Sequence, residues 1–468
     1  MKKTKIICSI GPASCDPDIM EQLINNGMNV ARINFSHATK EEKESVVASV
    51  KEVRKRTKEP IAILYDTKGP EFRNGMMENG EITLKEGNMI RVVKENVLGN
   101  EERFTVNYPN AIDGLNVGNI ILLENGLMKI EVISKEEDGV TCKIINGGVL
   151  GNKKSLNVPG VKLDMPFISD QDREDIIYAC EHDGDFLALS FVSTKEDVLE
   201  VRQLLREHNC MDMQIISKIE SSTGIDNLDE IIEVSDGIMV ARGDLGVEVP
   251  MKELPVLQKM MIEKCHEQGK FCIVATEMLA SMYKSSRPTR AEVSDIANAV
   301  FNGADAVMLS GETTMGKYPT EAVKYMADIC EYSEDFIEYD MIPLDPTTID
   351  ITDTIARGVV DAADMLDVKL IGAATISGYT AKKISRLKPK CVIMAACPNE
   401  KVARSLCLNW GVYSVIVPIY EDTDGVINGV KEKAIEFMNL QPKDVIIVTG
   451  GFPTNSNVKT NLMKVEEI

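Results

Sequence analysis

The sequence predicts an α/β protein: a (β/α)8 barrel with a small β-barrel domain inserted in it and an α/β parallel-sheet domain after it. Three observations carry this reading. Short apolar runs at residues 5–10, 30–34, 61–66, 185–190, 214–219, 237–241, 271–276 and 306–310 make eight, and most lead through polar residues into a helical pattern. The spacing breaks once, at residues 69–184, where alternating β-type segments crowd between turn signals. Beyond the stretch Met341-Ile342-Pro343-Leu344-Asp345-Pro346, a second alternation of strand and helix begins.

The elements follow in order. After the first run, Asp16 is the expected N-cap of a helix over 17–26, with Pro17 at its first position. The interruption holds strand patterns at 80–84, 88–93, 118–123, 127–133 and 139–145. It leaves the barrel at the end where such folds gather their chemistry, so it is placed to act as a lid. The last part offers strands at 370–375, 392–395, 415–418 and 445–449, and a further one through 461–465. The expected divisions are 1–68 and 165–340 for the barrel, 69–164 for the lid and 341–468 for the C-terminal unit.

Composition narrows the partners. The 468 residues exceed what one core supports. A net charge of -21 disfavours nucleic acid and anionic membranes, so neither is expected as a partner. Eleven cysteines without a C-x-x-C pair, many in apolar runs (Cys8, Cys272, Cys391, Cys397), read as reduced thiols. The basic start is followed by an apolar stretch too short for a signal segment, and no run has membrane-spanning length. The expectation is a soluble, cytoplasmic protein. Four histidines are too scattered for a histidine metal site, and His182, His208 and His266 read as surface or helix residues.

Chemistry concentrates at strand ends. Lys218 and Glu220 stand two apart on one strand and share a face; Asp244 follows the next strand. A lysine and two carboxylates so placed suit a divalent cation and a developing anion, as phosphoryl transfer or enolate chemistry requires. A buried Lys218–Glu220 salt bridge satisfies the same geometry. Asn34, Ser36, Asp66 and Thr67 offer oxygens of low total charge, suited to a monovalent cation, and Arg32 and Arg73 offer forks for phosphate. An Arg32–Asp66 salt bridge explains part of that set as well, and spacing alone leaves both readings open. Thr276 alone reads as structural, and Lys154 alone as a solvated lysine. The stretch Thr375-Ile376-Ser377-Gly378-Tyr379-Thr380, between a strand and a helix, reads first as an ordinary N-cap, though a helix start can also hold an anion.

The runs S-K-I-E (217–220) and A-R-G-D-L-G (241–246) resemble the active-site core of the pyruvate kinase family. So do R-I-N-F-S-H (32–37), D-T-K-G-P-E-F-R (66–73), R-P-T-R-A-E (287–292) and M-L-S-G-E-T (308–313). The resemblance covers nearly the whole chain. It implies transfer of a phosphoryl group from phosphoenolpyruvate to ADP, the last step of glycolysis. It assigns Lys218, Arg73 and Thr276 to catalysis, Glu220 and Asp244 to Mg²⁺ (or Mn²⁺), and Asn34, Ser36, Asp66 and Thr67 to K⁺. Substrate would meet Arg32, Thr276 and the backbone of Ala241, Arg242 and Gly243. Nucleotide would meet Arg32, Asn34, His37, Arg73 and Lys154. Glu71 argues for potassium dependence, since relatives with lysine there tend to dispense with the ion. A phosphorylated allosteric effector would sit at Thr375, Ser377, Gly378 and Thr380, and the assembly would be a homotetramer.

The chain departs from the family pattern at four places. The lid has Glu124-Asn125 for two aspartates, Ser193 stands for an arginine, and Glu277 for a glutamine. The loop 452–461 lacks the glycines of the usual second effector clamp, so the effector's identity stays open. Another phosphoenolpyruvate-handling barrel enzyme and a non-catalytic phosphometabolite sensor are the rival readings.

Overall fold

The computed structural model describes residues 1–36, 38–337, 349–453 and 458–468. The expected nucleotide contact His37, the linker at 341–346 and part of the 452–461 loop lie outside the described residues.

Eight parallel strands close into a barrel: Lys5–Ser9, Val30–Asn34, Ala62–Asp66, Phe186–Leu189, Gln214–Ile219, Gly237–Ala241, Phe271–Ala275 and Ala306–Leu309. The first pairs with the second and with the last, so no edge is left open. Alternate residues point into the barrel, and the lower layers are apolar: Ile7, Val30, Leu64, Ala188, Ile216, Met239 and Ile273 share one buried cluster. Two residues further on, the same inward column turns polar, at Ser9, Arg32, Asp66, Ser190 and Lys218. Strand alternation alone therefore delivers charged groups to one end of the barrel.

Helices seal the outside. Asp16 caps Pro17–Asn25, accepting from the N–H groups of Asp18 and Ile19. Thr39 with Glu42 and Ser169 with Asp172 form capping boxes that fix two further helix starts. His182 and His208 cap helix C-termini and His266 lies within a helix; His182 stacks on Tyr178.

Between the third and fourth barrel strands lies a β-built insert, with a six-stranded sheet and a two-stranded sheet around their own apolar core. Its strands include Arg103–Thr105, Gly148–Gly151 and Leu156–Asn157, which the sequence reading passed over. The C-terminal unit has four parallel strands and a fifth, antiparallel edge strand, Leu462–Glu467. Its outer strand spans Val412–Ile416 rather than 415–418, because pairing with Val392–Cys397 starts at Val412.

The C-terminal unit docks under the barrel through charge. Arg404 donates to Asp185 and Asp183, and Arg54 donates to the same two carboxylates from the barrel side. Lys5 donates to the Val412 carbonyl at 2.5 Å. Trp410 is 1% exposed at this seam, with the Lys3 and Lys388 ammonium groups 5.4 and 5.0 Å from its ring. The eleven cysteines are all free thiols.

Candidate active site

A cavity of about 650 Å³ opens where the barrel strands end and the insert overhangs them. Its wall combines Arg32, Asn34, Ser36, Asp66, Lys218, Glu220, Asp244 and Thr276 from the barrel with Glu71, Arg73, Glu124 and Lys154 from the hinge and lid.

Lys218 sits at the centre. Its ammonium lies 2.7 Å from Ser190 Oγ, 2.9 Å from Glu220 Oε1 and 3.2 Å from Asp66 Oδ1. Three acceptors match its three N–H donors. Burial opposes its charge, but Asp66 and Glu220 outweigh that and push its pKa up to about 12. It is therefore an ammonium at neutral pH, a fixed charge rather than a proton shuttle. The salt bridge that sequence left as an alternative is present, and it is part of the same constellation.

Asp66 is shared. Arg32 Nε donates to Oδ2 at 2.7 Å, and Arg32 also donates to Ser9 Oγ at 2.7 Å. Burial works against the Asp66 carboxylate, but Arg32 and Lys218 hold its pKa below the ordinary value. Glu220 behaves in the opposite sense. Burial raises its pKa to about 7, Lys218 opposing and Asp244 adding to the rise, although the Phe191 N–H donates to it at 2.6 Å. Burial raises Asp244 too, against the pull of Lys218, with further carboxylates adding to the rise. Two carboxylates pushed toward protonation at the mouth of one cavity form a hard-oxygen pair that a dication would relieve. Among the described residues no cluster of three or more carboxylate, histidine or cysteine side chains gathers at one point. Two carboxylate oxygens suit Mg²⁺, an ion that keeps water and substrate oxygens in its shell.

The expected potassium ligands come from neighbouring strand ends, where Asn34 pairs in register with Asp66 and Thr67 follows it. Asn34 and Ser36 line the cavity, and Asn34 Oδ1 accepts from the Ser36 N–H at 3.0 Å. Thr67 lies just behind the wall, its hydroxyl accepting from the Ser190 N–H at 3.2 Å. One carboxylate among neutral oxygens fits a monovalent ion. Glu71 is engaged rather than free: Arg73 grips it at 2.7 and 2.9 Å, and Lys68 lies 3.4 Å away. Burial works against its charge, and those two cations lower its pKa all the same. Two cations thus already lie beside Glu71, because the hinge folds back on itself.

On the lid, Lys154 pairs with Glu124 at 2.6 Å, and Arg73 also donates to the Lys153 carbonyl at 2.6 Å. Ala241 lines the cavity, and the Gly243 N–H donates to Thr276 Oγ1 at 2.9 Å. The Arg242 side chain turns instead to Asp295, 2.7 Å away. The family-implied effector residues belong to the C-terminal unit, not to this cavity. There Gly378, at φ +84°, precedes the helix Tyr379–Ser385 with no side-chain cap bond. Thr380 is buried and shares a 2.7 Å hydrogen bond with Thr460, and Ser377 is exposed. Ser190, which reasoning from the residues did not single out, is one of the three Lys218 partners. Its inward register two residues past Ala188 was the available signal.

Comparison with known proteins agrees with this geometry. A family model described as "Pyruvate kinase, barrel domain" matches residues 1–323, and "Pyruvate kinase, alpha/beta domain" matches residues 353–466. A pyruvate kinase of Geobacillus stearothermophilus is 47% identical over 100% of this chain and 80% of its own length. One of Staphylococcus epidermidis is 45% identical over 99% of this chain and 80% of its own length. The crystal structure of a pyruvate kinase from Cryptosporidium parvum superposes with a TM-score of 0.95 at 38% identity, covering 100% of this chain and 96% of that one. With both of its domain models matched in order and the relatives aligned along its whole length, the chain belongs to the pyruvate kinase family.

Proposed function

We propose that this cavity transfers the phosphoryl group of phosphoenolpyruvate to ADP, giving pyruvate and ATP. The observation that carries the reading is Lys218, a fixed ammonium between Asp66 and Glu220 with Asp244 close by. Arg32 and Arg73 line the cavity where phosphate oxygens would lie, Arg73 exchanging its Glu71 and Lys153 contacts for them, and substrate would lie against the Ala241–Gly243 backbone. Lys218 faces the charge that builds as the phosphorus–oxygen bond breaks. Glu220 and Asp244 would hold Mg²⁺ or Mn²⁺, and Asn34, Ser36, Asp66 and Thr67 would hold K⁺. These ions supply positive charge at the transferring group when bound. Proton delivery to the enolate carbon falls on the Thr276 side. Lys154, on the lid, would meet the nucleotide phosphates, with Arg32, Asn34 and Arg73, and with His37 from outside the described residues. The expected division at 69–164 and 341–468 then separates lid and C-terminal unit from the catalytic barrel.

The direct test is a coupled assay for pyruvate release from phosphoenolpyruvate with and without ADP. ADP-dependent release is expected; ADP-independent release, or none, would remove the assignment. A homotetramer in the cytoplasm and a phosphorylated effector near Thr375, Ser377, Gly378 and Thr380 belong to the same reading. A monomer by sedimentation at micromolar concentration would count against the first. Unchanged half-saturation by phosphoenolpyruvate across sugar phosphates and nucleoside monophosphates would count against the second.

A further inference from the structure

Thr276 and Glu277 are consecutive non-glycine residues at positive φ, +66° and +57°. The left-handed region is unfavourable for L-residues and most of all for a β-branched one, so neighbours must impose it. Arg242 does so. Its guanidinium donates to the Thr276 carbonyl at 2.7 Å and to the Ala275 carbonyl at 3.3 Å. It is mostly buried, and Asp295, from the helix Arg290–Phe301, braces it at 2.7 Å. Gln258 Oε1 completes the seat at 3.5 Å. The turn so held aims the Thr276 hydroxyl back over its own strand. There it donates to the Ala275 carbonyl at 2.7 Å and accepts from the Gly243 N–H at 2.9 Å. Arg242 thus acts on Thr276 from two directions: its side chain grips the turn, and its neighbour Gly243 meets the hydroxyl.

We propose that the Arg242 side chain, braced by Asp295, is the positioning group that fixes the Thr276 hydroxyl for proton transfer between solvent and the methyl carbon of pyruvate. The proposal rests on the reading of Thr276 given above. Arg242 meets the Ala275 carbonyl, Asp295 and the Thr276 carbonyl through three different nitrogens, whereas lysine keeps the charge but carries all its donors on one nitrogen and cannot span those three positions. Arg242→Lys is therefore compared with the parent enzyme in two reactions. One is ADP-dependent pyruvate release. The other is loss of the pyruvate methyl protons to D2O, followed by NMR in the presence of Mg²⁺, K⁺ and ATP. Exchange is expected to fall at least about tenfold, and by a larger factor than ADP-dependent pyruvate release. Adding Arg242→Lys to Thr276→Ala should slow exchange no further, since both changes remove one arrangement. Asp295→Asn keeps the arginine and should give a smaller loss in the same reaction; it stands in if Arg242→Lys fails to fold. Parental exchange rates in the folded variants overturn the proposal, as does a fully additive double variant. If Thr276→Ala itself exchanges at the parental rate, the Thr276 assignment falls and takes this one with it. That result is distinct from a slow Thr276→Ala beside a normal Arg242→Lys, which overturns the Arg242 role alone.

Discussion

At the scale of single residues the site turns on a few charges whose surroundings differ. Lys218 stays charged because two carboxylates face it, so its removal should act on the transition state. Lys218→Met is expected to cut phosphoryl transfer by about a hundredfold or more, the scale for losing a preorganised charge. A steady-state assay showing a loss below about tenfold, roughly 1.4 kcal/mol, would contradict the role. Glu71 supports a second prediction. Activity should require K⁺, and Glu71→Lys should relieve that requirement in part by placing an ammonium near the ion's position. Because Glu71 also holds Arg73 at 2.7 and 2.9 Å, the variant should bind phosphoenolpyruvate more weakly as well. Rates in K⁺ and in a large organic cation at equal ionic strength decide it, and equal rates in the parent would dismiss the potassium site. Sequence brought these side chains into view because strand-end charge stands out against apolar runs. It could not show that Glu71 is already paired, since that pairing depends on how the hinge folds.

At the scale of elements, the barrel was the legible part. The strands Val30–Asn34, Gln214–Ile219 and Gly237–Ala241 match the apolar runs residue for residue, because both faces of a closed parallel sheet are buried and leave an unbroken signal. The insert was read less completely. Its short strands are half exposed, and their pairing is set by distant partners such as Gly148 with Leu84. Val412–Ile416 slipped for the same reason. Where lid and barrel join, Gly69 illustrates an element under constraint. It has φ +72°, and a Cβ there would lie 2.8 Å from the Ser190 carbonyl oxygen. Its N–H donates to Asp172 at the start of the helix Asp170–Glu181. Gly69→Ala should lower stability by about 1–3 kcal/mol and displace Ser190, a partner of Lys218, so that turnover falls too. Urea unfolding and a turnover assay, both unchanged, would show that the turn tolerates a side chain.

At the scale of the whole molecule, the seam between barrel and C-terminal unit carries a pH dependence. Burial, with Lys2 adding to it, brings the pKa of Lys5 down to about 7 from 10.5. Between those two values the unfolded chain binds more protons than the folded one, so stability from this group rises with pH across that interval. Below about 7 the folded state must accommodate a buried charge, and that contribution is gone. Across that interval the urea midpoint should change with pH by a smaller upward increment in Lys5→Met than in the parent; equal slopes would dismiss the effect.

The same seam holds the chain's single tryptophan, sealed from water with an ammonium group near its ring from each side. Lys3 belongs to the segment leading into the barrel, and Lys388 to the C-terminal unit. An indole so placed emits at short wavelength, and its brightness depends on where those two cations stand. Any rotation of one unit against the other changes that light, so the protein carries a built-in optical gauge of its own joint and needs no attached dye.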